Sequence, residues 1–384
     1  MDILFIQHGD YGDAYRKMLT SQKETYRDQF RSVQFLRDLA NNNKVRVISF
    51  CPRPHTEQLE ENLWSIGIEK NNDLKKDLYS KLSSFKTDLL ICRTPHLATL
   101  RWAAKNNITT LPCFADTFSA ESFRSRINNY ILRRVLERVE KPCIANHSLN
   151  ASKSLMLLGV DPHNIVPWDW SPIQVITESK SILNDNKSFS LTYVGVISKA
   201  KGVDTVFESI AILKNRNIKI ELNIAGNGDI EFWNNYARNL GIASQVNFLG
   251  TIPSKSVLQV MRNNSAVVVP SKHEYPEGLP NTIYEALASR SPLIISDHPA
   301  FAGRVKPYND CLSFVAGSAN DLANKILELQ SNVALYELLS KNSAKALQGL
   351  YIGEDWCDLM RLFINDPENK TQWTKERSLR YLLI

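Results

Sequence analysis

Short apolar segments alternate with amphipathic helical segments along almost the whole chain of 384 residues. In the first half, the segments with the composition of buried strands are 2–7, 45–50, 88–93, 109–114, 142–146 and 164–168. The helical patterns between them cover 24–41, 96–106, 119–139 and 149–158. Strands that are apolar on both faces are typical of parallel sheets covered by helices on both sides. The alternation therefore predicts a doubly wound α/β domain.

The polar segment 171–189 interrupts this alternation, which then starts again. The later strand patterns are 190–197, 218–226, 246–250, 266–270, 292–296 and 312–316, and the helical ones are 202–214, 229–240, 254–263, 280–289 and 319–331. We predict a Rossmann-like domain at 1–170, a linker at 171–189, a second Rossmann-like domain at 190–350 and helices at 351–384. Ligands of open parallel sheets bind beyond the carboxyl ends of the strands. Two such domains facing across a cleft would place the site in that cleft.

Composition excludes several other classes of protein. The six cysteines are scattered singly with no C-x-x-C pair, which favours a reducing cytoplasm over a disulfide framework or a structural zinc site. The net charge of +6 is too small to indicate a nucleic-acid partner. No apolar run reaches the roughly 18 residues of a transmembrane helix, and the N-terminus lacks the basic region of a signal peptide. We expect a cytoplasmic protein that does not bind nucleic acid.

The segment 270–297, PSKHEYPEGLPNTIYEALASRSPLIISD, carries the clearest chemical signal. A strand pattern ends at Pro270, and Pro280 suits the first position of the helix that follows. Backbone N–H groups near that helix start could bind a phosphate. Glu277 before the helix and Glu285 inside it could each accept hydrogen bonds from sugar hydroxyls. The alternative is an acidic loop followed by a glutamate on the helix surface.

Two further strand ends in the same domain fit a nucleotide sugar. In YVGVISKAKGVDTVFESI (193–210), Gly195 allows a close approach of the backbone, and Lys199 and Lys201 could neutralise a diphosphate. In NIAGNGDIEFW (223–233), Gly226 and Asn227 begin a gap of nucleoside size. A solvated lysine loop is the ordinary explanation of the first pattern, and a single G-x-G is weak evidence by itself.

Together, these segments resemble the retaining glycosyltransferase family 4, which has the GT-B fold. The resemblance rests on the E-x7-E motif from Glu277 to Glu285, followed by Ala286, and extends over about 190–300. It implies that Glu277 holds donor-sugar hydroxyls, that Glu285 holds the ribose, and that Lys201 neutralises the diphosphate. The backbone contacts to the diphosphate would come from Gly278, Leu279, Pro280 and Asn281.

The resemblance also implies an activity. The chain would move a hexose-type sugar, with retention, from a UDP- or GDP-sugar more readily than an ADP-sugar to a glycan or lipid-linked acceptor. No metal and no further cofactor is expected. The last helices would pack back on the first domain. A non-catalytic nucleotide-sugar-binding protein, or another GT-B enzyme such as a sugar-nucleotide epimerase, remains an alternative.

The sequence departs from the family pattern at two positions. Val196 stands where the family usually has an arginine, and Ala115 stands where it commonly has a histidine. With Glu277, the candidate catalytic residues are therefore Asp116, next to Ala115, and His96, at a neighbouring strand end. A role as a helix cap is the alternative for both Asp116 and His96.

The N-terminal segment 6–16, IQHGDYGDAYR, is expected to form a strand-end loop. Gly9 and Gly12 are candidate donor-binding residues there. His8 and Asp10 could bind a metal, but no further ligand lies near them in the sequence, so we expect none.

The helical segment 123–141 is basic and amphipathic, with Arg124, Arg126, Arg133, Arg134 and Arg138 on it. Such a helix could lie on an anionic membrane, where lipid-linked acceptors are found. The alternative is an exposed arginine face over an ordinary core stripe.

Overall fold

The computed structural model describes the chain except for residues 21–23, 25–26, 70–73, 119–121, 140–142, 182–187, 353 and 384. Two compact units account for the described residues. The first comprises Met1–Ser171 together with Ile352–Ile384, and the second comprises Pro172–Tyr351. Within the described part, no helix is long and apolar enough to cross a membrane.

The first unit is built on an eight-stranded sheet whose strands run in the order β3-β4-β2-β1-β5-β6-β7-β8. All neighbouring strands pair in parallel except β3 and β4, which form an antiparallel pair. The strands are β1 (Asp2–His8), β2 (Lys44–Phe50), β3 (His55–Glu60), β4 (Leu63–Ile68), β5 (Leu89–Cys92), β6 (Thr109–Phe114), β7 (Ile144–His147) and β8 (Ile165–Trp168). The first helices are α1 (Tyr11–Thr20), α2 (Gln29–Leu39), α3 (Leu74–Ser83), α4 (Leu97–Lys105), α5 (Phe123–Leu136) and α6 (Leu149–Leu157).

Sequence analysis missed the pair β3–β4 and the helices α1 and α3. β3 has the sequence HTEQLE and remains largely accessible because it lies at the edge of the sheet. Without an apolar face to bury, an edge strand gives little periodic signal. The segment 6–16 was also interpreted wrongly, since α1 begins at Tyr11 and contains Gly12. The starts predicted for 119–139 and 142–146 lie outside the described residues.

The second unit contains a six-stranded sheet in the order β11-β10-β9-β12-β13-β14, with all neighbouring strands parallel. The strands are β9 (Phe189–Val194), β10 (Ile220–Ala225), β11 (Val246–Gly250), β12 (Ala266–Val269), β13 (Leu293–Ser296) and β14 (Leu312–Phe314). The helices are α7 (Val203–Asn215), α8 (Ile230–Asn239), α9 (Ser254–Asn263), α10 (Asn281–Ala288), α11 (Ala319–Ser331) and α12 (Val333–Leu350).

Alternate residues of the central strands fill separate apolar clusters on the two faces of each sheet. In β1, Ile3 and Phe5 belong to one cluster, and Leu4 and Ile6 belong to the other. In β12, Val268 packs in one cluster while Val267 and Val269 pack in the other. A strand buried on both faces needs a continuous apolar run, which explains why sequence analysis found these central strands.

The chain returns to the first unit in α13 (Trp356–Asn365), α14 (Lys370–Glu376) and α15 (Leu379–Leu382). Trp356 and Phe363 of α13 are fully buried in the same cluster as Phe5, and the ring of Trp356 meets that of Phe35 edge-on at 5.5 Å. Arg31 on α2 forms an ion pair with Asp355, the N-cap of α13. The C-terminal helices are therefore part of the hydrophobic core of this unit.

Most of the described part of the predicted linker, residues 172–181, packs on the second unit. The backbone N–H of Ile173 donates to the Tyr351 hydroxyl, that of Ile176 donates to the Ala288 carbonyl, and that of Lys180 donates to Ser340 Oγ. These bonds attach the polar segment to α10 and α12, so at least this part of it is not a free linker. Residues 182–187 lie outside the described residues, Ser171 belongs to the first unit, and Phe189 already begins β9.

Each sheet has one point where neighbouring strands lead to crossover connections in opposite directions. In the first unit this point lies between β1 and β5, and in the second it lies between β9 and β12. Loops at the carboxyl ends of such strands diverge and leave a crevice in which ligands bind. The topology therefore directs attention to the loops after β9 and β12, and to those after β1 and β5.

Candidate functional site

The loops after β9 and β10 lie in direct backbone contact. Gly195 donates its N–H to the Ala225 carbonyl, and Ile197 donates to the Asn227 carbonyl. A Cβ atom on Gly226, whose φ is +153°, would lie 1.7 Å from the carbonyl oxygen of Gly195. Glycine is thus required at position 226 so that these two loops can meet. Asn227 contributes its backbone carbonyl to this contact, and the residue is exposed.

A second glycine brings the loop after β9 against the end of β12. Gly202 has a φ of +73°, and a Cβ there would lie 1.9 Å from the Pro270 carbonyl oxygen. The two loops are also joined by a hydrogen bond from the N–H of Lys272 to the Ala200 carbonyl. In addition, Lys272 pairs with Asp204 at 2.7 Å. This packing brings Lys201 close to the residues that follow β12.

Glu277 is the best-defined polar group in this region, with only 6% of its surface exposed. The Lys201 ammonium donates to Glu277 Oε1, and the Ser271 hydroxyl donates to the same oxygen at 2.7 Å. Lys201 also lies 4.3 Å from the centre of the Tyr275 ring. We call Lys201, Ser271, Tyr275, Glu277 and α10 the β9/β12 site. A buried carboxylate is stable in the charged form only when it is paired in this way.

His298 anchors the loop that carries Glu277. Its Nδ1 accepts the N–H of Ala300 at 3.1 Å, so Nε2 carries the proton and donates to the Tyr275 carbonyl at 3.0 Å. The side chain is almost completely buried, and burial lowers the pKa of His298. The neutral imidazole therefore ties the loop to the segment after β13. Sequence analysis missed His298 and Ser271, although both follow the ends of predicted strands.

Helix α10 begins directly after this loop. Pro280 is its extended N-cap residue, and no side chain caps the helix. Thr282 donates its hydroxyl to the Val194 carbonyl, which fixes the helix start beside the end of β9. Within the described part of the chain, the buried Oδ1 of Asn281 has no hydrogen-bond partner. The helix start thus offers backbone N–H groups, a positive dipole end and a side-chain acceptor to a ligand.

Glu285 lies one turn inside α10 and is only 5% exposed. The structure thus rules out the interpretation that Glu285 is a glutamate on the helix surface. Leu279 belongs to the apolar core, and Gly278 is buried beside Glu277.

The remaining residues named for the donor have weaker support. Lys199 is exposed, with its ammonium 5.5 Å from the centre of the Phe232 ring. Val196, at the position where an arginine was expected, is 56% exposed. Gly195 lies beside the Tyr193 hydroxyl, which donates to the Val196 carbonyl at 2.6 Å.

In the first unit, the two N-terminal glycines occupy different environments. Gly9 has a φ of +83° and open space around its Cβ position, at a pocket of about 80 Å³ that Arg93 also lines. Gly12 is buried in α1, and a Cβ there would lie 2.2 Å from Glu57 Oε1. The Glu57 carboxylate is the end of a flexible side chain that can move away, so this contact does not by itself require glycine at position 12, and Gly9 borders open space.

His96 is the N-cap of α4. Its Nδ1 accepts the N–H of Thr99 at 3.4 Å and lies 2.9 Å from the Thr99 hydroxyl, and its ring packs on Phe50 at 4.8 Å. The helix-cap alternative is therefore correct for His96. It is not correct for Asp116, because the N-cap of α5 is Ser122. Asp116 lies just past the end of β6, and burial raises its pKa to about 6. Ala115 beside it is exposed.

The two residues considered for a metal contact different neighbours. His8 Nε2 lies 3.1 Å from the Thr94 hydroxyl, and its ring packs on Phe50. Asp10 instead lies close to Cys51 and His55. The expectation that Asp10 has no other potential ligand nearby was wrong, because β2 and β3 bring residues distant in sequence to the end of β1.

Comparison with known proteins identifies the enzyme class. Residues 175–346 match the family described as glycosyl transferases group 1. An uncharacterized glycosyltransferase of Methanocaldococcus jannaschii is 23% identical over 280 residues, which cover 68% of this chain and 69% of that protein. The N,N'-diacetylbacillosaminyl-diphospho-undecaprenol alpha-1,3-N-acetylgalactosaminyltransferase of Campylobacter jejuni is 29% identical over 46% of each chain.

The similarity of fold extends over nearly the whole chain. The Anabaena protein HepE, crystallised with UDP-glucose, superposes with a TM-score of 0.66 at 14% sequence identity, covering 96% of this chain and 99% of that chain. Both units have the Rossmann-like sheet of the GT-B fold, which is parallel except for the edge pair β3–β4 of the first unit. The chain is therefore a glycosyltransferase with the GT-B fold.

The environment of Asp116 predicts a specific dependence of stability on pH. Its folded-state pKa of about 6 exceeds the ordinary value of 3.8, so the folded chain keeps a proton that the unfolded chain has lost. The free energy of unfolding therefore falls as the pH rises between these values and stays lower above them. We expect Asp116→Asn to stabilise the protein above pH 6 by about 1–2 kcal/mol, and the difference to vanish in acid.

Urea unfolding of both proteins across this pH range measures the effect. The exposed Asp77 provides the control, and Asp77→Asn should leave the pH profile unchanged. If Asp116→Asn destabilises the protein at pH 8, the folded structure stabilises the charged form of Asp116, and the prediction is wrong.

Proposed function

We propose that this enzyme transfers a hexose-type sugar, with retention of configuration, from a nucleotide-diphosphate sugar to a glycan or lipid-linked acceptor. The observation that carries the proposal is the buried Glu277, held by Lys201 and Ser271 immediately before the uncapped start of α10. A carboxylate that directly precedes a helix N-terminus suits a sugar diphosphate, because the carboxylate can accept the sugar hydroxyls and the helix start can bind the phosphates. UDP or GDP is preferred over ADP as the nucleotide, and the binding of UDP-glucose by HepE supports a uridine donor.

In this proposal, Glu277 accepts hydrogen bonds from hydroxyls of the transferred sugar. A charged acceptor strengthens such bonds, and burial keeps water from competing for them. Glu285, buried one turn into α10, accepts the two ribose hydroxyls. The buried acceptor atom of Asn281 suits a donor group of the same ligand. Gly195, Gly226 and Asn227 shape the surrounding loops.

The diphosphate is held without a metal ion in this proposal. The first N–H groups of α10 and its positive dipole end stabilise the charge that develops on the leaving group. Lys201 supplies an ammonium that is paired with Glu277 and is therefore fixed in position before the donor binds. Lys199 is the only other lysine of this loop. In this proposal it replaces in part the arginine that the family usually has at the position of Val196.

Retention through attack on the same face of the sugar depends on positioning and on leaving-group stabilisation. It does not require a strong protein base, which is compatible with alanine at position 115. Asp116 is the better candidate in the first unit for accepting a proton from the acceptor, because its pKa of about 6 lies near neutral pH. His96 is the weaker candidate because its Nδ1 caps α4.

A lipid-linked acceptor is supported by the Campylobacter relative, whose name specifies a diphospho-undecaprenol substrate. It is also supported by α5, where Phe123, Ile127 and Tyr130 are 79%, 44% and 64% exposed. These side chains share one stripe of the helix. The arginines at 124, 126, 134 and 138 are exposed around them, although Arg134 pairs with Glu137. We propose that this face rests on an anionic membrane at its cytoplasmic side.

Binding measurements separate the two glutamates. Thermal shift and calorimetry with UDP-, GDP- and ADP-sugars identify the donor. Glu277→Gln should then weaken binding of the nucleotide sugar about 10-fold more than binding of the bare nucleotide, since only the sugar contacts it. Glu285→Gln should weaken both about equally. Glu274 lies exposed in the same loop, and Glu274→Gln should change neither.

Equal losses of sugar-dependent and nucleotide-only binding in Glu277→Gln would refute the role given to Glu277. Because the substitution removes a buried charge, the variant's unfolding temperature is measured first. Glu277→Ala then provides a second test of the same ratio.

Transfer with the preferred donor should give a product with the donor's anomeric configuration. It should also proceed at an unchanged rate when Mg²⁺ or Mn²⁺ is added to chelator-treated enzyme, since backbone N–H groups and Lys201 stabilise the diphosphate. Proton NMR of the new linkage, formed on a lipid-linked saccharide, measures the configuration. An inverted linkage would reject retention, and a large activation by Mg²⁺ would reject metal-independent transfer.

The face of α5 predicts that vesicles containing anionic lipid sediment the enzyme, whereas zwitterionic vesicles sediment it weakly. Replacing Phe123 and Ile127 by serine should reduce this binding about 10-fold or more, because both side chains lose their apolar contact with the membrane. Leu338→Ser, on an exposed leucine of α12, is the control. If sedimentation depends neither on lipid charge nor on the two serine substitutions, this face of α5 is not the membrane-binding surface.

A further inference from the structure

Three side chains of different metal-binding types converge where β1 and β2 end. Asp10 follows β1, Cys51 follows β2, and His55 begins β3. One ligand atom from each lies within 4.8 Å of the other two, and Cys51 is buried while the other two are partly buried. None of the three has a role in the proposed transfer reaction.

The hydrogen bonds of His55 leave its Nε2 as the atom that faces this cluster. Nδ1 lies 3.1 Å from the Arg53 carbonyl oxygen, which can only accept, so Nδ1 carries the proton. In the neutral ring, Nε2 then presents a lone pair toward Ser65 Oγ at 2.9 Å and Asp10 Oδ1 at 3.8 Å. A metal-binding histidine characteristically donates its other N–H to a backbone carbonyl or a carboxylate in this way.

The backbone of Arg53 also orients Cys51, whose Sγ lies 3.2 Å from the same carbonyl oxygen. The carbonyl therefore holds both side chains from one side. Asp10 is fixed independently, because its Oδ1 accepts the N–H of Asp13 at the start of α1. All three potential ligands are thus positioned by the backbone before any ion binds.

The distances suit a small tetrahedral ion. Bonds of about 2.0–2.3 Å to N, O and S place tetrahedral ligand atoms about 3.3–3.8 Å apart. The separation between His55 Nε2 and Asp10 Oδ1 falls at the upper end of this range. All three ligand atoms lie within 4.8 Å of one another, so they have to approach by at most roughly 1 Å when an ion binds.

The charges around the cluster favour a cation. Glu57 Oε1 lies 3.7 Å from His55 Nε2, so two carboxylates face the imidazole. Arg16 pairs with Glu57 at 2.7 Å and is the cation that faces this region from α1. The alternative is a protonated His55 that forms ion pairs with Asp10 and Glu57, with no metal.

We propose that Asp10, Cys51 and His55 bind one zinc-type ion that ties the loop after β1 to the turn between β2 and β3. A thiolate, an imidazole and a carboxylate together select a borderline-soft ion such as Zn²⁺ over Mg²⁺. On binding, the Cys51 thiol loses its proton to solvent and a metal–sulfur bond forms. The fourth position is taken by water or by Glu57. This ion is distinct from any ion at the donor diphosphate and does not depend on the proposed function.

Cobalt(II) tests the proposal on the full chain after treatment with a chelator. Coordination by a thiolate gives a near-ultraviolet charge-transfer band that carboxylate or imidazole ligands do not give. We expect the wild-type protein to show this band at one equivalent of Co²⁺ and to lose it when Zn²⁺ is added. Cys51→Ser should abolish the band, and His55→Gln should weaken Co²⁺ binding by about 10- to 100-fold or more.

Two controls separate this site from other thiols and histidines. Cys311→Ser changes a buried cysteine of the second unit, and His163→Asn changes an exposed histidine that pairs with Asp161. Neither should alter the band. Circular dichroism without metal checks folding of each variant, and Asp10→Asn gives a further variant if Cys51→Ser does not fold. A wild-type protein without the band, or a band that persists in Cys51→Ser, overturns the proposal.

Discussion

The ion pair between Lys201 and Glu277 requires two loops of the second unit to lie against each other. Gly202 makes this possible, since any side chain there would collide with the backbone at Pro270. Ser271 and the lysine both donate to one oxygen of the carboxylate, and His298 holds the preceding Tyr275 carbonyl. Removing one member of a buried pair commonly costs about 3–5 kcal/mol, because the other charge remains without compensation. The conformation of the loop and the charge of Glu277 are therefore coupled.

This coupling gives the site a preorganised electrostatic character. Lys201 neutralises the carboxylate in advance, while the start of α10 retains its backbone donors and positive dipole end. In the proposed binding mode, a sugar diphosphate brings hydroxyl donors to the carboxylate and negative oxygens to the helix, so each part meets a complementary partner. The exposed Val196 removes one possible cation from the same region. The proposed binding mode therefore relies more on backbone groups and on a single lysine.

The first unit contributes different chemistry at its own strand ends. His96 is used as a helix cap, and Asp116 is left partly buried with a raised pKa. At the end of β1, Gly9 borders a small pocket, and Asp10 approaches Cys51 and His55. On α5, the apolar stripe of Phe123, Ile127 and Tyr130 remains exposed, while Leu132, Val135 and Leu136 face the core. The candidate proton acceptor, the candidate metal site and the candidate membrane face thus lie on different elements of this unit.

Much of this organisation follows from local patterns. The continuous apolar runs of β1, β9 and β12 predicted parallel strands because both of their faces must be buried. The spacing of Glu277 and Glu285 around Pro280 likewise predicted the helix start. The edge strand β3 was missed because it has no apolar face to bury. The helix α1 was missed although Tyr11, Ala14, Tyr15 and Met18 recur at helical spacing, because the two glycines of the segment 6–16 were interpreted as a loop.

The sequence by itself determined the two α/β domains, the order of most elements and the position of the acidic motif, since these depend on periods of a few residues. The tertiary structure alone decided that Lys201 pairs with Glu277, that Gly202 and Gly226 serve close packing, and that Asp10 approaches Cys51 and His55. Each of these contacts joins residues from different strands or loops. Their distances are set by the packing of the sheet and its crossover connections, and no local pattern in the chain records that packing.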